Sequence, residues 1–270
     1  MTRRAFTLIE LLVVITIIAL LIGLLVPVLA SARVAVIGTN CIVNQDQMMT
    51  GMFAFAADHR GKIPFGPEER LKYPPPQILY GEDSGGRDFY VIDGMVTSEI
   101  STINGDLVGI GLLLQGYMSD AKEAFFCPGA DQTVSVQGEL DRVGKGSVIS
   151  GYLYRHGGNT FVDGLAYRSN PGANPLDKRT RLDRLGANRE GLDIRALLMD
   201  NNFQTADGSS FNWLDRSNHE RVFSNIAFAD GHVEQRPNLD GRYVADIGGT
   251  TLIGGLDRIL GVFEEADRPE

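Results

Sequence analysis

MTRRAFTLIELLVVITIIALLIGLLVPVLA, residues 1–30, is the stretch that decides the fold. Arg3 and Arg4 open it, Glu10 follows, and from Leu11 to Ala32 no side chain carries a charge. At about 1.5 Å per residue, a helix over that run crosses the roughly 30 Å hydrocarbon core of a bilayer. A charge inside such a segment costs about 3 kcal/mol even on lenient insertion scales, so Glu10 calls for a partner. The two arginines mark the end that stays in the cytoplasm.

Three readings of this stretch compete. Ala30-Ser31-Ala32 fits the small-x-small rule of a secretory signal, but the apolar run exceeds the about 7–15 residues expected of one. A plain single-pass anchor accounts for everything except Glu10. The third reading rests on Ala5-Phe6-Thr7-Leu8-Ile9-Glu10-Leu11-Leu12-Val13-Val14, which resembles the start of type IV pilins and secretion pseudopilins. The resemblance implies a leader cut between Ala5 and Phe6, N-methylation of Phe6, and Glu10 as the fifth mature residue. Glycine is usual before the cut in that family, and Ala5 stands in its place here. Glu10 is then expected to be an assembly residue: its own new amino terminus or a neighbouring subunit's can neutralise it, and the pair with a neighbour would set the axial register.

Outward from this stretch the pattern becomes amphipathic. Val34, Ile37, Cys41, Met48, Met52 and Phe55 recur at helical steps, while Thr39, Asn40, Asp46, Gln47 and Thr50 fall off that stripe. The spacing predicts one helix from Phe6 to about Ala57, on the order of 80 Å long. Pro27 is expected to kink it or to leave a few residues unwound. Asp58-His59-Arg60-Gly61 ends it, with Pro64 and Pro67 beyond.

The rest of the chain reads as one folded head. With 32 glycines and 11 prolines in 270 residues, turns and short strands are favoured over further long helices. The net charge of −9 and the lack of a basic stripe argue against a nucleic-acid binder. Cys41 and Cys127 form an even count that an exported protein can pair, although two cysteines alone decide nothing.

The resemblance extends further. Cys41-x-x-Asn44-x-x-Gln47 followed by Asp58-x-x-Gly61-x-x-Pro64 is similar to a stretch in a bacterial branch of pilin-like proteins abundant in planctomycete-type genomes. So is Gly111-Leu112-Leu113-Leu114-Gln115-Gly116-Tyr117-Met118 running to Phe125-Phe126-Cys127-Pro128, read as a short helix, a strand and a Cys-Pro turn. That branch often has a cysteine at both places, which implies a Cys41–Cys127 disulfide tying helix to head; two buried free thiols are the other reading.

In the C-terminal half, 193–200 reads as a buried strand ending in a polar turn. The segments 224–229 and 232–234 flank Asp230-Gly231, a tight-hairpin signal. The stretch resembles the branch's His-x9-Asp-Gly element: His219, Asp230 and Gly231 occupy it, with ten intervening residues in place of nine. His219, Asp230, His232 and Glu234 are conceivable metal ligands, His219, His232 and Glu234 as a zinc site on a hairpin, but polar strand ends are usually just solvated, so no metal site is expected. No cofactor is expected either. Calcium in a C-terminal loop is the one exception entertained, with Asp200, Asp207 and Asp215 as candidates that lack a calcium-loop spacing. Gly138 to Gly146 misses the phosphate-loop pattern, and no Gly-x-Ser-x-Gly elbow occurs, so no enzyme is expected. Leu252, Ile253, Leu256, Ile259, Leu260 and Phe263 read as a short amphipathic helix before an acidic tail.

The expectation is an α+β, pilin-like fold, in which a long N-terminal helix packs on an antiparallel β-sheet head. It divides into a leader (1–5), a transmembrane and filament-core helix (6–30), its amphipathic continuation (31–58) and a periplasmic or extracellular head (59–270). The resemblance implies a structural subunit of a type IV pilus-like or type II secretion pseudopilus filament. Its partners would be other pilin subunits, a prepilin peptidase and methyltransferase, and an inner-membrane assembly platform. The cytoplasmic amino terminus and periplasmic head make it a single-pass inner-membrane protein before assembly. The alternative is a membrane-anchored periplasmic glycan-binding protein using Tyr152, Tyr154, Trp213 and Tyr243; a hydrolase with His219 or His232 as base lacks a nucleophile motif.

Overall fold

The computed structural model describes residues 8–64, 79–82, 88–91, 96–101, 105, 107–129, 135–155, 181–188, 190–204, 217–246 and 252–269. Helix α1 (Leu8–Asp58) is a single helix of 51 residues with Pro27 inside it. The helix runs unbroken through Pro27, so the expected unwinding is not found. Below the apolar half, the chain-facing stripe is Cys41, Gln45, Met48, Met49, Met52, Phe55 and Ala56, all buried. Val34, read as part of that stripe, is exposed, because the head begins to cover the helix only below it. The expected solvent face of Thr39, Asn40, Asp46, Gln47 and Thr50 is exposed throughout. Arg60 and Gly61 turn left-handed (φ 59° and 82°), and the Gly61 amide donates to the Ala56 carbonyl at 2.6 Å, closing the helix end.

The head is built on a five-stranded antiparallel sheet of β3 (Val96–Ser101), β4 (Val148–Arg155), β5 (Ala196–Asp200), β7 (Phe223–Phe228) and β8 (Val233–Pro237), in that spatial order. Two small sheets accompany it: β1 (Leu79–Glu82) with β2 (Asp88–Val91), antiparallel, and β6 (Phe203–Gln204) with β9 (Ala245–Asp246), parallel. A short helix α2 (Val136–Arg142) precedes β4, and α3 (Leu252–Asp267) ends the chain. Together these elements make the α+β, pilin-like architecture: a long apolar helix against an antiparallel sheet.

Both faces of the sheet are covered. Tyr152, Tyr154, Leu198 and Ala227 meet the Met48, Met49, Met52 and Phe55 face of α1, with Ile110, Leu113 and Phe125 closing the rim. Leu153, Ala196, Met199, Ile226 and Phe228 face the other way, onto Ile259, Leu260, Val262, Phe263 and Ala266 of α3. This two-sided burial explains why β5 reads as a continuous apolar run. A bulge between Ala196 and Leu198 turns both Leu197 and Leu198 toward α1. Each of these large side chains contributes about 1.5–3 kcal/mol by leaving water.

Three further local expectations change. The segment before Cys127 forms 3-10 turns, Gly109–Leu114 and Lys122–Phe125, with no strand between them and Cys127. Gly111 permits this: a Cβ there would lie 2.0 Å from the Ile100 carbonyl oxygen, so the turn and β3 approach closer than any side chain allows. The β7–β8 hairpin closes with Ala229, Asp230 and Gly231, and only Gly231 is left-handed (φ 95°). The Gly231 amide donates to Phe228 and the Phe228 amide to His232, a three-residue loop with a glycine bulge in place of the two-residue turn. Finally, the acidic tail is the last turn of α3: Glu264 and Asp267 are buried.

Candidate functional site

Two features of this fold carry chemistry beyond packing. The first is the free half of α1. Every side chain described from Leu8 to Leu29 is exposed, although apart from Glu10, Thr16 and Gly23 nearly all are large and apolar. Those 22 residues cover about 33 Å as a helix, the thickness of a bilayer core. Glu10 lies in the first turn, and the Thr16 hydroxyl is folded back onto the Leu12 carbonyl at 2.7 Å. Ala5 and Phe6, the expected cleavage and methylation positions, lie outside the described residues.

The second feature is a polar core where α1 enters the head. Cys41 on α1 and Cys127 after the second 3-10 turn form a disulfide, with Cα atoms 5.5 Å apart, within the usual span of about 4.4–6.8 Å. His219 is brought against it: its Nε2 is 3.5 Å from Cys127 Sγ and 3.4 Å from Asp200 Oδ2. Asp200 ends β5, fully buried. Its Oδ1 accepts from Gln45 Nε2 (3.3 Å) and Asn218 Nδ2 (3.4 Å), and its Oδ2 from the Asn225 amide (2.8 Å) and Nδ2 (3.0 Å). Burial pushes the Asp200 carboxyl up to about 7, against these amide donors, which favour the charged form. The same loss of solvent raises the Tyr152 phenol, helped by the nearby Asp200 charge; its oxygen takes a bond from Asn44 Nδ2 at 3.3 Å.

Holding His219 there requires unusual backbone. His219, Glu220 and Arg221 are three consecutive left-handed residues, with φ of 53°, 53° and 62°. None is glycine, and each costs about 1–2 kcal/mol in that region. The turn is pinned by the His219 amide on the Gly129 carbonyl (3.2 Å) and by the Val222 amide on the His219 carbonyl (3.0 Å). The imidazole stacks on Phe223, centroids 4.4 Å apart. Backbone strain of this kind concentrates at functional sites.

The other expected positions are elsewhere. His232 stacks on Phe228 at 4.4 Å and bonds Asp230, while Glu234 pairs with Arg236 at 3.0 Å. Among the described residues, neither His232 nor Glu234 joins His219 in a group of ligands. Gly231 serves the hairpin, and a Cβ there would lie 2.8 Å from the Phe53 ring of α1. Asp207 and Asp215, the other calcium candidates, and Trp213 lie outside the described residues. Tyr152, Tyr154 and Tyr243 are buried, so they do not form a surface on which a glycan stacks.

Gln45, Asn218 and Asn225 were not singled out from sequence. Gln45 carried a signal: it lies four residues after Cys41 and three before Met48, a polar side chain on the buried stripe. Asn218 and Asn225 had no such mark.

Residues 1–26 match the model of the prokaryotic N-terminal methylation motif, consistent with a type IV pilin-like protein. No curated protein and no solved structure matched the chain. The motif implies processing by a prepilin peptidase and belongs to structural filament subunits, not to enzymes, and its helix is suited to membrane anchoring.

Proposed function

We propose that this chain is a structural subunit of a type IV pilus-like or type II secretion pseudopilus filament. The carrying observation is the free half of α1: an uncovered apolar helix with one carboxylate in its first turn, under a methylation motif. Such a surface has two environments that suit it, the bilayer before assembly and a bundle of identical helices after it. Lipid is as apolar as leucine, so leaving the bilayer supplies little drive for helices to associate. Polar pairing therefore decides the register, and Glu10 against the methylated amino terminus of a neighbour is the pair this sequence offers. In this reading an inner-membrane assembly platform draws subunits from the membrane, with the amino terminus cytoplasmic and the head periplasmic beforehand.

Mass spectrometry of the mature amino terminus tests the route. N-methyl-Phe6 is the expected result; a chain beginning at Arg33, or an intact Met1 or Thr2, overturns it. Glu10→Ala tests the register: processed subunit is expected to accumulate in the membrane while sheared filaments disappear. Filaments at wild-type yield would remove that role from Glu10.

A further inference from the structure

We propose that Cys41, Cys127, His219 and Asp200 form a four-coordinate zinc site in the dithiol state of the protein, an alternative to the disulfide at the same place. The four side chains come from four separate parts of the fold: α1, the turn after Lys122–Phe125, the end of β5 and the left-handed turn before β7. Their ligand atoms all lie within 4.8 Å of one another, and all four residues are buried.

Two of the edges already have the length a tetrahedron needs. Zinc bonds of about 2.3 Å to sulfur and about 2.0–2.1 Å to nitrogen and oxygen give S···N edges near 3.5 Å and N···O edges near 3.3 Å. Here Nε2 is 3.5 Å from Cys127 Sγ and 3.4 Å from Asp200 Oδ2. The sulfurs have to open from a bond to about 3.8 Å, the S···S edge of the same tetrahedron, and the other edges have to settle from within 4.8 Å. Rotation about the cysteine χ1 bonds achieves that with the Cα atoms held 5.5 Å apart.

The surroundings also fit. Gln235 Nε2 donates to Asn225 Oδ1 at 3.2 Å, which fixes that amide with its nitrogen toward Asp200 and His219. Asn225 Nδ2, 3.2 Å from His219 Nε2, is then the donor and Nε2 the unprotonated nitrogen, whose lone pair takes this bond in the disulfide form and is given to the metal once Asn225 Nδ2 swings aside. Gln45, Asn218 and Asn225 orient the Asp200 carboxylate as outer partners orient a metal ligand. Thiolate with imidazole and carboxylate is a donor set that takes zinc readily, and no open position is left, which makes the site structural.

The redox step balances with a trialkylphosphine. Phosphorus is oxidised to the phosphine oxide with oxygen from water, the S–S bond takes up the two electrons, and the two water hydrogens end on the sulfurs. Zinc then binds the two sulfurs as thiolates, and both protons leave to solvent.

Full-length protein in detergent micelles is reduced with tris(carboxyethyl)phosphine, given Zn2+, desalted and assayed for bound metal, beside an unreduced aliquot. One zinc per chain in the reduced protein and none in the unreduced protein is the expected result. Co2+ in place of zinc should give a tetrahedral d–d envelope with thiolate charge-transfer bands, which reports the ligands in the wild-type chain without any variant. His219→Gln should abolish retention. Reduced wild type that retains no zinc overturns the proposal, as does equal retention by a Cys41→Ser/Cys127→Ser variant.

Discussion

Removing the carboxylate of Asp267 should cost this head more than any exposed charge does, and the reason lies in four hydrogen bonds. Arg155 on β4 and Asp267 at the end of α3 form an ion pair at 2.8 Å, with side chains 2% and 0% exposed. Asp267 Oδ2 also accepts from Asn188 Nδ2 at 3.1 Å. Its Oδ1 accepts from the backbone amides of Arg195 (2.8 Å) and Ala196 (3.0 Å), where β5 begins. One carboxylate thus joins α3, β4 and β5.

Asp267→Ala strands the Arg155 guanidinium in the interior, a loss of about 3–5 kcal/mol. It also leaves two amides without an acceptor, at about 1–3 kcal/mol each when no water reaches them. These losses share one site and do not simply add, so about 4–6 kcal/mol is expected. Domains of this kind are stable by about 5–15 kcal/mol, so much of the margin would go. Urea unfolding of the full-length protein in detergent, followed by circular dichroism, reads the loss. With a slope of about 1–3 kcal/mol per molar, the midpoint falls by at least about 1.3 M. Replacing both partners, Arg155→Met with Asp267→Asn, should recover part of the loss but not all, because an amide oxygen serves at most one of the two sites. A loss under about 1 kcal/mol for Asp267→Ala, the value of an exposed pair, would refute the reasoning.

Replacing Cys41 and Cys127 with alanine under oxidising conditions releases a loop of sequence separation 86 and should cost about 4–5 kcal/mol in the chain-entropy model, read as a lower urea midpoint than wild type. Asp200, at about 7 when folded against about 3.9 unfolded, makes the disulfide form bind a proton that the unfolded chain lacks. That contribution is complete below about pH 4 and lost as pH rises through 7, on the order of 4 kcal/mol. Its titratable neighbours are His219 and Tyr152, and subtracting the pH profile of Asp200→Asn isolates it; a difference profile flat from pH 4 to 8 contradicts the assignment. Gly111→Ala drives a methyl to 2.0 Å from the Ile100 carbonyl oxygen and should cost at least about 1–3 kcal/mol, whereas Gly23→Ala meets nothing within 4 Å and should leave the head's melting unchanged.

The long helix was legible because its signals are local. An uncharged run, a period near 3.6 and the Arg60-Gly61 stop each reside in a few consecutive residues. The sheet was legible in part for the same reason: Ala196–Asp200 and the Phe223–Pro237 hairpin stand out as apolar runs beside turn residues. Val34 misled because periodicity continues along a helix after its partner surface has ended. Asp267 misled because it sits in a run of acids, where solvent is the ordinary destination; its partner lies 112 residues away, and nothing local announces it.

The sequence marked Cys41, Cys127, His219 and Asp200 separately but not as one polar core, and the position of that core says why it is built this way. Going down α1 from the apolar half, Cys41 is the first buried side chain among the described residues. Asn44 and Gln45 follow, bonded to Phe126, Tyr152, Asp200 and Asn225. In the filament proposed above, load from the helix enters the head at this point. A purely apolar contact there would resist sliding along the helix axis poorly, since dispersion and burial are nearly indifferent to register. A covalent bond flanked by directional hydrogen bonds resists it, because each bond fails within a few tenths of an ångström of displacement. Burying Asp200 and straining the His219 turn cost stability to make that anchorage specific. The residues involved come from positions 41 to 225, so the arrangement exists only once the sheet has brought them together.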